Sequence, residues 1–169
     1  GSFFQRSEVG AVKRDRGSHV FLVVALVLGM SIAFFCADAV PQATLGWNQP
    51  LQFWFGIVLM FAGLALRWYA IRVLGKFFTR DVATRTGQYV VDTGPYRRIR
   101  HPSYSGALLM FLGTGIAMTN WASLLAIVIA AAAGYGWRVH VEEQALCADL
   151  GASYRDYMRR TRRFIPFVW

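Results

Sequence analysis

Arg100 to Gly106 place a guanidinium, an imidazole, a phenol and two hydroxyls directly ahead of a strongly apolar run. Pro102 suits the first position of a helix, which makes His101 its N-cap. The free N–H groups and positive dipole end of such a helix attract a carboxylate or a phosphate. A second polar group lies further along the chain, where Ala130, Gly134, Arg138 and Glu142 recur every four residues and so share one helix face. The two small residues admit a neighbouring helix, from this chain or from a second copy. Arg138 and Glu142 then offer a cation and an acid at the end of that seam. Glu143 is rotated by ~100° from Glu142 and addresses a different partner. The plainer account of Arg138, Glu142 and Glu143 is an interfacial ion pair beside a solvated acid, contributing ~0.3–0.5 kcal/mol. Their position opposite the Arg100–Gly106 cluster favours a site.

These residues must be positioned by membrane helices. The chain has 169 residues, 56% of them hydrophobic, and a positive mean hydropathy, which suits one small integral membrane unit rather than a soluble domain. Counted against the ~20 residues that cross a hydrocarbon core, four apolar segments predict spans at about 20–37, 51–74, 104–118 and 121–138. Only Thr119-Asn120 separates the last two, which predicts a tight helical hairpin. The expected organisation is an N-terminal arm (1–17), a single domain (18–169) with a loop over 75–102, and a tail over 139–169. Val82-Ala83 and Tyr89 to Val91, flanking Arg85-Thr86-Gly87, suggest a short hairpin of extended segments. No signal peptide is expected.

Cations set the orientation. The Asp38–Pro50 connection and the Thr119-Asn120 turn hold no Lys or Arg, whereas the arm, the 75–102 loop and the tail hold nearly all of them. The positive-inside rule therefore predicts cytoplasmic termini and loop. It also accounts for the net charge of +9 through anionic lipid headgroups, so nucleic acid is not an expected partner. Cys36 and Cys147 have neither metal-site nor disulfide spacing, and both read as free thiols. No metal site is expected.

The run GPYRRIRHPSYSG, then a hairpin, then RVHVEEQAL and GASYRDYMRRTRRFIPFVW, resembles the isoprenylcysteine carboxyl methyltransferase family and its relatives among membrane phospholipid methyltransferases. The resemblance covers about Leu66 to Trp169. It implies an all-α membrane enzyme using S-adenosylmethionine without a Rossmann domain, and indeed no G-x-G-x-x-G turn occurs; Gly113-Thr114-Gly115 falls within an apolar run, where helix packing explains it. By resemblance, Tyr96, Arg100, His101, Pro102, Tyr104 and Gly106 form the loop and helix start that cradle the cofactor. Glu142 and Glu143 match the acidic pair that binds it, Arg138 and Glu142 take catalytic roles, and Tyr154, Tyr157 and Arg160 match a tail that closes over the site. Each also has a plain alternative: a cap for His101, membrane anchors for the tyrosines, helix packing for Gly106.

Methyl transfer from a sulfonium to an anion disperses charge, so alignment in a poorly hydrated pocket supplies most of what is required, ~7–11 kcal/mol for well-held reactants. The lack of an obvious buried base leans toward a carboxylate acceptor. The eukaryotic enzymes have more helices than this compact chain, so the acceptor stays open among an isoprenylcysteine-like carboxylate, a lipid, a quinone-like or isoprenoid molecule, and a small apolar acid or thiol. The size suggests a bacterial or archaeal relative in the plasma (inner) membrane, as a monomer or weak homodimer. An NADPH-dependent reductase of the sterol-reductase type, which shares the Arg-His-Pro-x-Tyr-x-Gly element, and a non-catalytic membrane protein are the competing readings.

Overall fold

The computed structural model describes residues 12–13, 17–46, 48–75, 83–84 and 89–164. Among these residues five α-helices follow in chain order: α1 Ser18–Ala39, α2 Gln49–Leu74, α3 Pro102–Ala117, α4 Trp121–Leu150 and α5 Ala152–Arg160. Their ends are legible in local chemistry. Asn48 accepts from the Leu51 N–H at 3.3 Å at the start of α2, and Asn120 accepts from Ala122 and Ser123 at 3.0 and 3.1 Å at the start of α4. Gly75 and Gly151 close α2 and α4 at positive φ, where a side chain would be strained.

What the helices bury identifies their solvent. The buried residues of α1 are Ser18, Gly29 and Ala33, and those of α2 are Gln52, Gly56, Gly63 and Ala70. Large apolar groups face outward instead, Phe35 being 70% and Trp54 63% exposed. Small residues inside and aromatic or branched ones outside would be ruinous in water but are normal where the surroundings are lipid. The chain is thus an all-α integral membrane protein. α1, α2 and α4 are long and apolar enough to cross a membrane. α3 has 16 residues, or ~24 Å at 1.5 Å per residue, and falls short of a hydrocarbon core of ~30 Å.

Two antiparallel helix pairs form the body, α1 with α4 and α2 with α3. Gly56 faces Gly113 and Gly63 faces Gly106; a Cβ on any of these four would lie 2.5–2.6 Å from the opposing glycine's carbonyl oxygen. The two pairs are seven residues apart on each helix, so α2 and α3 touch backbone to backbone over two turns. Along α1 and α4, Gly29 sits against Ala130 and Gly134 against Leu22. The Ala130–Gly134 face thus packs within the chain. At the far end, the Ser123 hydroxyl donates to the Ala33 carbonyl at 2.6 Å and the Asn120 amide to that of Val40 at 2.9 Å.

α3 starts at Pro102 with His101 in the N-cap position, as the sequence indicated. α4 continues 12 residues past 138 to Leu150, because nothing breaks the helix there: the drop in hydropathy marks the edge of the apolar layer and not the end of the helix. Ala83–Thr84 pairs antiparallel with Val12–Lys13 of the N-terminal arm; Val82 and residues 85–88 of the expected hairpin lie outside the described residues, as do 76–81 and the rest of the arm up to 16. Both cysteines are free, as expected.

Candidate functional site

α4 is 30 residues long, or ~45 Å, so its charged C-terminal third projects beyond a hydrocarbon layer of ~30 Å. There it meets the start of α3 and the returning tail. Glu142 and Glu143 go to different partners, as their rotation about the helix requires. The Tyr104 hydroxyl donates to Glu142 Oε2 at 2.7 Å, and Arg138 Nε reaches the Tyr104 oxygen at 3.4 Å. Arg138 Nη1 also donates to Ser18 Oγ at 2.8 Å, tying this line to the first turn of α1. Arg138 is 3% exposed, a buried cation with both of these oxygen partners. Glu142 is only half-buried, and its Oε1 has no partner among the described residues.

Glu143 is buried and held from three sides. Arg100 Nε lies 2.8 Å and His101 Nε2 3.3 Å from Oε1, while Arg163 Nη2 and Nε lie 2.9 and 3.1 Å from Oε2. Burial alone would raise the Glu143 carboxyl, but hydrogen bonds and charge from His101, Arg100 and Arg163 outweigh it and hold the carboxyl down at about 2. Arg100 also donates through Nη1 to the carbonyls of Met158 and Thr161, at 3.0 and 2.5 Å, satisfying the C-terminal end of α5.

The backbone completes this junction. The Arg100 N–H donates to the Arg162 carbonyl at 2.7 Å, the Arg162 N–H to Arg98 at 3.0 Å and the His101 N–H to Arg163 at 3.1 Å. Ser105 Oγ donates to the Phe164 carbonyl at 2.6 Å. The start of α3 is therefore covered, with His101, Pro102 and Ser103 all buried, and is not the open anion site that its dipole suggested. His101 occupies the N-cap position, yet its side chain makes no cap; the ring stacks parallel to Tyr104 at 5.7 Å and turns to Glu143.

The remaining candidates divide. Tyr96 is buried, and its carbonyl accepts from the Tyr157 hydroxyl at 2.7 Å; Tyr154 packs against Tyr157 at 5.8 Å. Burial pushes the Tyr96, Tyr154 and Tyr157 hydroxyls up; carboxylate charge adds to this, from Glu142 at Tyr96 and from Glu142 and Glu143 at Tyr154, so all three remain neutral donors at ordinary pH. Gly106 lies in the α2–α3 seam, packed against Gly63 and Arg67. Arg160 stands on the surface, paired with Asp92 at 3.2 Å and clear of Glu142 and Glu143. Ser18, Arg67, Ser105, Thr161 and Arg163 join the site unforeseen. Ser105 stands within the Arg100–Gly106 run, and Arg67 was visible as a cation within an otherwise apolar stretch: its Nη1 donates to the Ser103 carbonyl and hydroxyl at 3.1 and 3.3 Å, while Nε and Nη2 have no partner among the described residues.

This is a membrane helix bundle carrying a buried, mixed-charge site at one end, the class in which an apolar substrate and a polar cofactor can meet. The phospholipid methyltransferase family model matches residues 51–152, and the chain belongs to that family, among the relatives of isoprenylcysteine carboxyl methyltransferase. It is 33% identical over 116 residues to protein-S-isoprenylcysteine O-methyltransferase B of Arabidopsis thaliana, covering 68% of this chain and 59% of that protein. It is 28% identical over 148 residues to a probable protein-S-isoprenylcysteine O-methyltransferase of Oryza sativa subsp. indica, covering 84% of this chain and 76% of that one. The solved structure of a eukaryotic intramembrane Ras methyltransferase, isoprenylcysteine carboxyl methyltransferase, superposes with a TM-score of 0.68 at 27% identity, over 86% of this chain and 52% of the other. The chain thus spans about half of that structure and three-fifths of the Arabidopsis protein.

Proposed function

We propose that this chain is an integral membrane methyltransferase that uses S-adenosylmethionine to methylate the carboxylate of an apolar, isoprenylcysteine-like acceptor. The observation that carries this reading is the buried line Ser18–Arg138–Tyr104–Glu142, which ends in a half-buried carboxylate with one oxygen to spare. Glu142 Oε1 suits the ammonium or a ribose hydroxyl of the cofactor, and the rings of Tyr96, Tyr104 and Tyr154 give its adenine and sulfonium an aromatic surround. When bound, the cofactor supplies an electrophilic methyl group. Arg138, fixed by Ser18 and Tyr104, and Arg67, with donors to spare, are the cations available to orient the acceptor's carboxylate. Tyr104, hydrogen-bonded to both Glu142 and Arg138, keeps the two sides in one geometry, and the tail packed over Arg98–His101 keeps water out. A carboxylate acceptor leaves no proton to remove, and among the described residues the site offers no free buried base.

The cation asymmetry supports cytoplasmic termini, which would place this end where the polar cofactor is dissolved, while the acceptor arrives through the lipid. Radiolabelled methyl transfer by the purified chain to a farnesylated cysteine with a free carboxylate tests the reaction. An alkali-labile methyl ester is the expected product. Failure of that acceptor, with labelling of endogenous lipid, would reassign the acceptor; binding of NADPH in place of S-adenosylhomocysteine would reassign the class to a reductase.

A further inference from the structure

Glu143 and Glu142 are adjacent acids, yet only one of them is free to meet a ligand. An ionised carboxylate offers about four lone-pair sites. On Glu143 four donor atoms take them: Arg100 Nε, His101 Nε2 and the Nε and Nη2 of Arg163. Nothing remains for an ammonium or a ribose hydroxyl. We infer that Glu143 is a latch and not a cofactor ligand: it moors the tail segment 161–164 across the start of α3, and so sets how long the cofactor stays bound. This rests on the cofactor reading given above.

The donors come from two parts of the chain. Arg100 and His101 precede α3, whereas Arg163 belongs to the tail, so the Glu143 carboxylate is the joint between them. The three backbone hydrogen bonds between 98–101 and 162–163, with Ser105 to Phe164, depend on that joint for their register. The joint is also lopsided. The Glu143 side chain is 6% exposed and that of Arg163 36%, so the tail side is the one that can let go. Release leaves Glu143 still paired with Arg100 and His101, not stranded as a buried lone charge, which keeps opening inexpensive compared with breaking a fully buried pair.

Arg163 makes the inference testable without destroying the fold. In the full chain in detergent, S-adenosylhomocysteine dissociation is measured by stopped flow for the unaltered protein, Glu143→Gln, Arg163→Met and the double variant. Backbone amide exchange at Arg162 is followed without ligand. A latch predicts that both single variants release the product at least tenfold faster, that the double variant is no faster than the faster single one, that Arg163→Lys restores part of the lifetime, and that the Arg162 amide exchanges sooner in each. Weakened binding in Glu143→Gln with unchanged release in Arg163→Met would make Glu143 a direct ligand and overturn the latch. Faster amide exchange with unaltered product release in both variants would reduce the mooring to a structural contact. Absence of product binding to the unaltered chain would overturn the methyl-donor reading and the latch's role in it together, and amide exchange would then report on the mooring alone.

Discussion

The two ends of α4 are built by opposite rules. Its first half packs on α1 through close approaches of Ser123 to Ala33, Ala130 to Gly29 and Gly134 to Leu22, burying Ile127 and Tyr135 while Leu125 and Ile129 face outward. Its second half buries Arg138 and Glu143 among hydrogen-bonding partners from α1, the start of α3 and the tail. In lipid there is no water to drive apolar surfaces together, so shape must do it, and glycine supplies the shape. Beyond the lipid, buried charges persist only where each is paired, so polar side chains define the geometry there.

The sharpest way to break that comparison is to give the apolar seam a side chain. Gly106→Val would press a Cβ against the Gly63 carbonyl at 2.6 Å, backbone against backbone with nothing flexible to yield. Loss of folded protein is expected, read by thermal unfolding and size-exclusion recovery in detergent; near-normal stability would show that α2 and α3 do not meet as described. Arg138→Met comes next. Its prediction is at least a hundredfold loss of turnover with cofactor affinity within a few fold, since the proposed carboxylate orienter would be lost while Glu142 keeps Tyr104. Equal turnover would remove Arg138 from the site.

Acid should distinguish the two ends more gently. The Glu143 carboxyl, facing Arg100, His101 and Arg163 with Tyr154 nearby, is held at about 2, below its ordinary value of 4.5. A depressed acid adds stability that is fully present above the unfolded value and is lost as pH falls through the folded one, so the loss should fall between pH ~4.5 and ~2. Thermal stability of the unaltered chain should decline through that window, and that of Glu143→Gln should show less of this decline; parallel curves would mean that Glu143 is not the group held. Arg160→Ala should be nearly silent, within ~0.5 kcal/mol, because its pair with Asp92 is exposed on both sides. Impaired product binding in that variant would return Arg160 to the site.

The start of α3 was legible because Pro102 announces it, and the acids' divergence followed from one residue of helical rotation. The polar end was legible in its members and not in its wiring. His101 read as a cap because position is visible in a sequence, whereas the return of the tail, 42 residues from His101 to Glu143 and a further 20 to Arg163, is not. Arg163 looked like one more headgroup cation for the same reason. Gly106 stood in a motif and drew a cofactor role; its match with Gly63 needs the α2–α3 register, which local pattern does not contain.

The most direct test of the central claim is equilibrium titration of S-adenosylhomocysteine into the purified full chain and its Glu142→Gln variant, with NADPH alongside. A site built on the free oxygen of Glu142 predicts saturable binding of the homocysteine product, at least tenfold weaker in Glu142→Gln with the melting temperature of the ligand-free protein little changed, and no binding of NADPH. Equal affinity in the two proteins, or binding of NADPH alone, would contradict it.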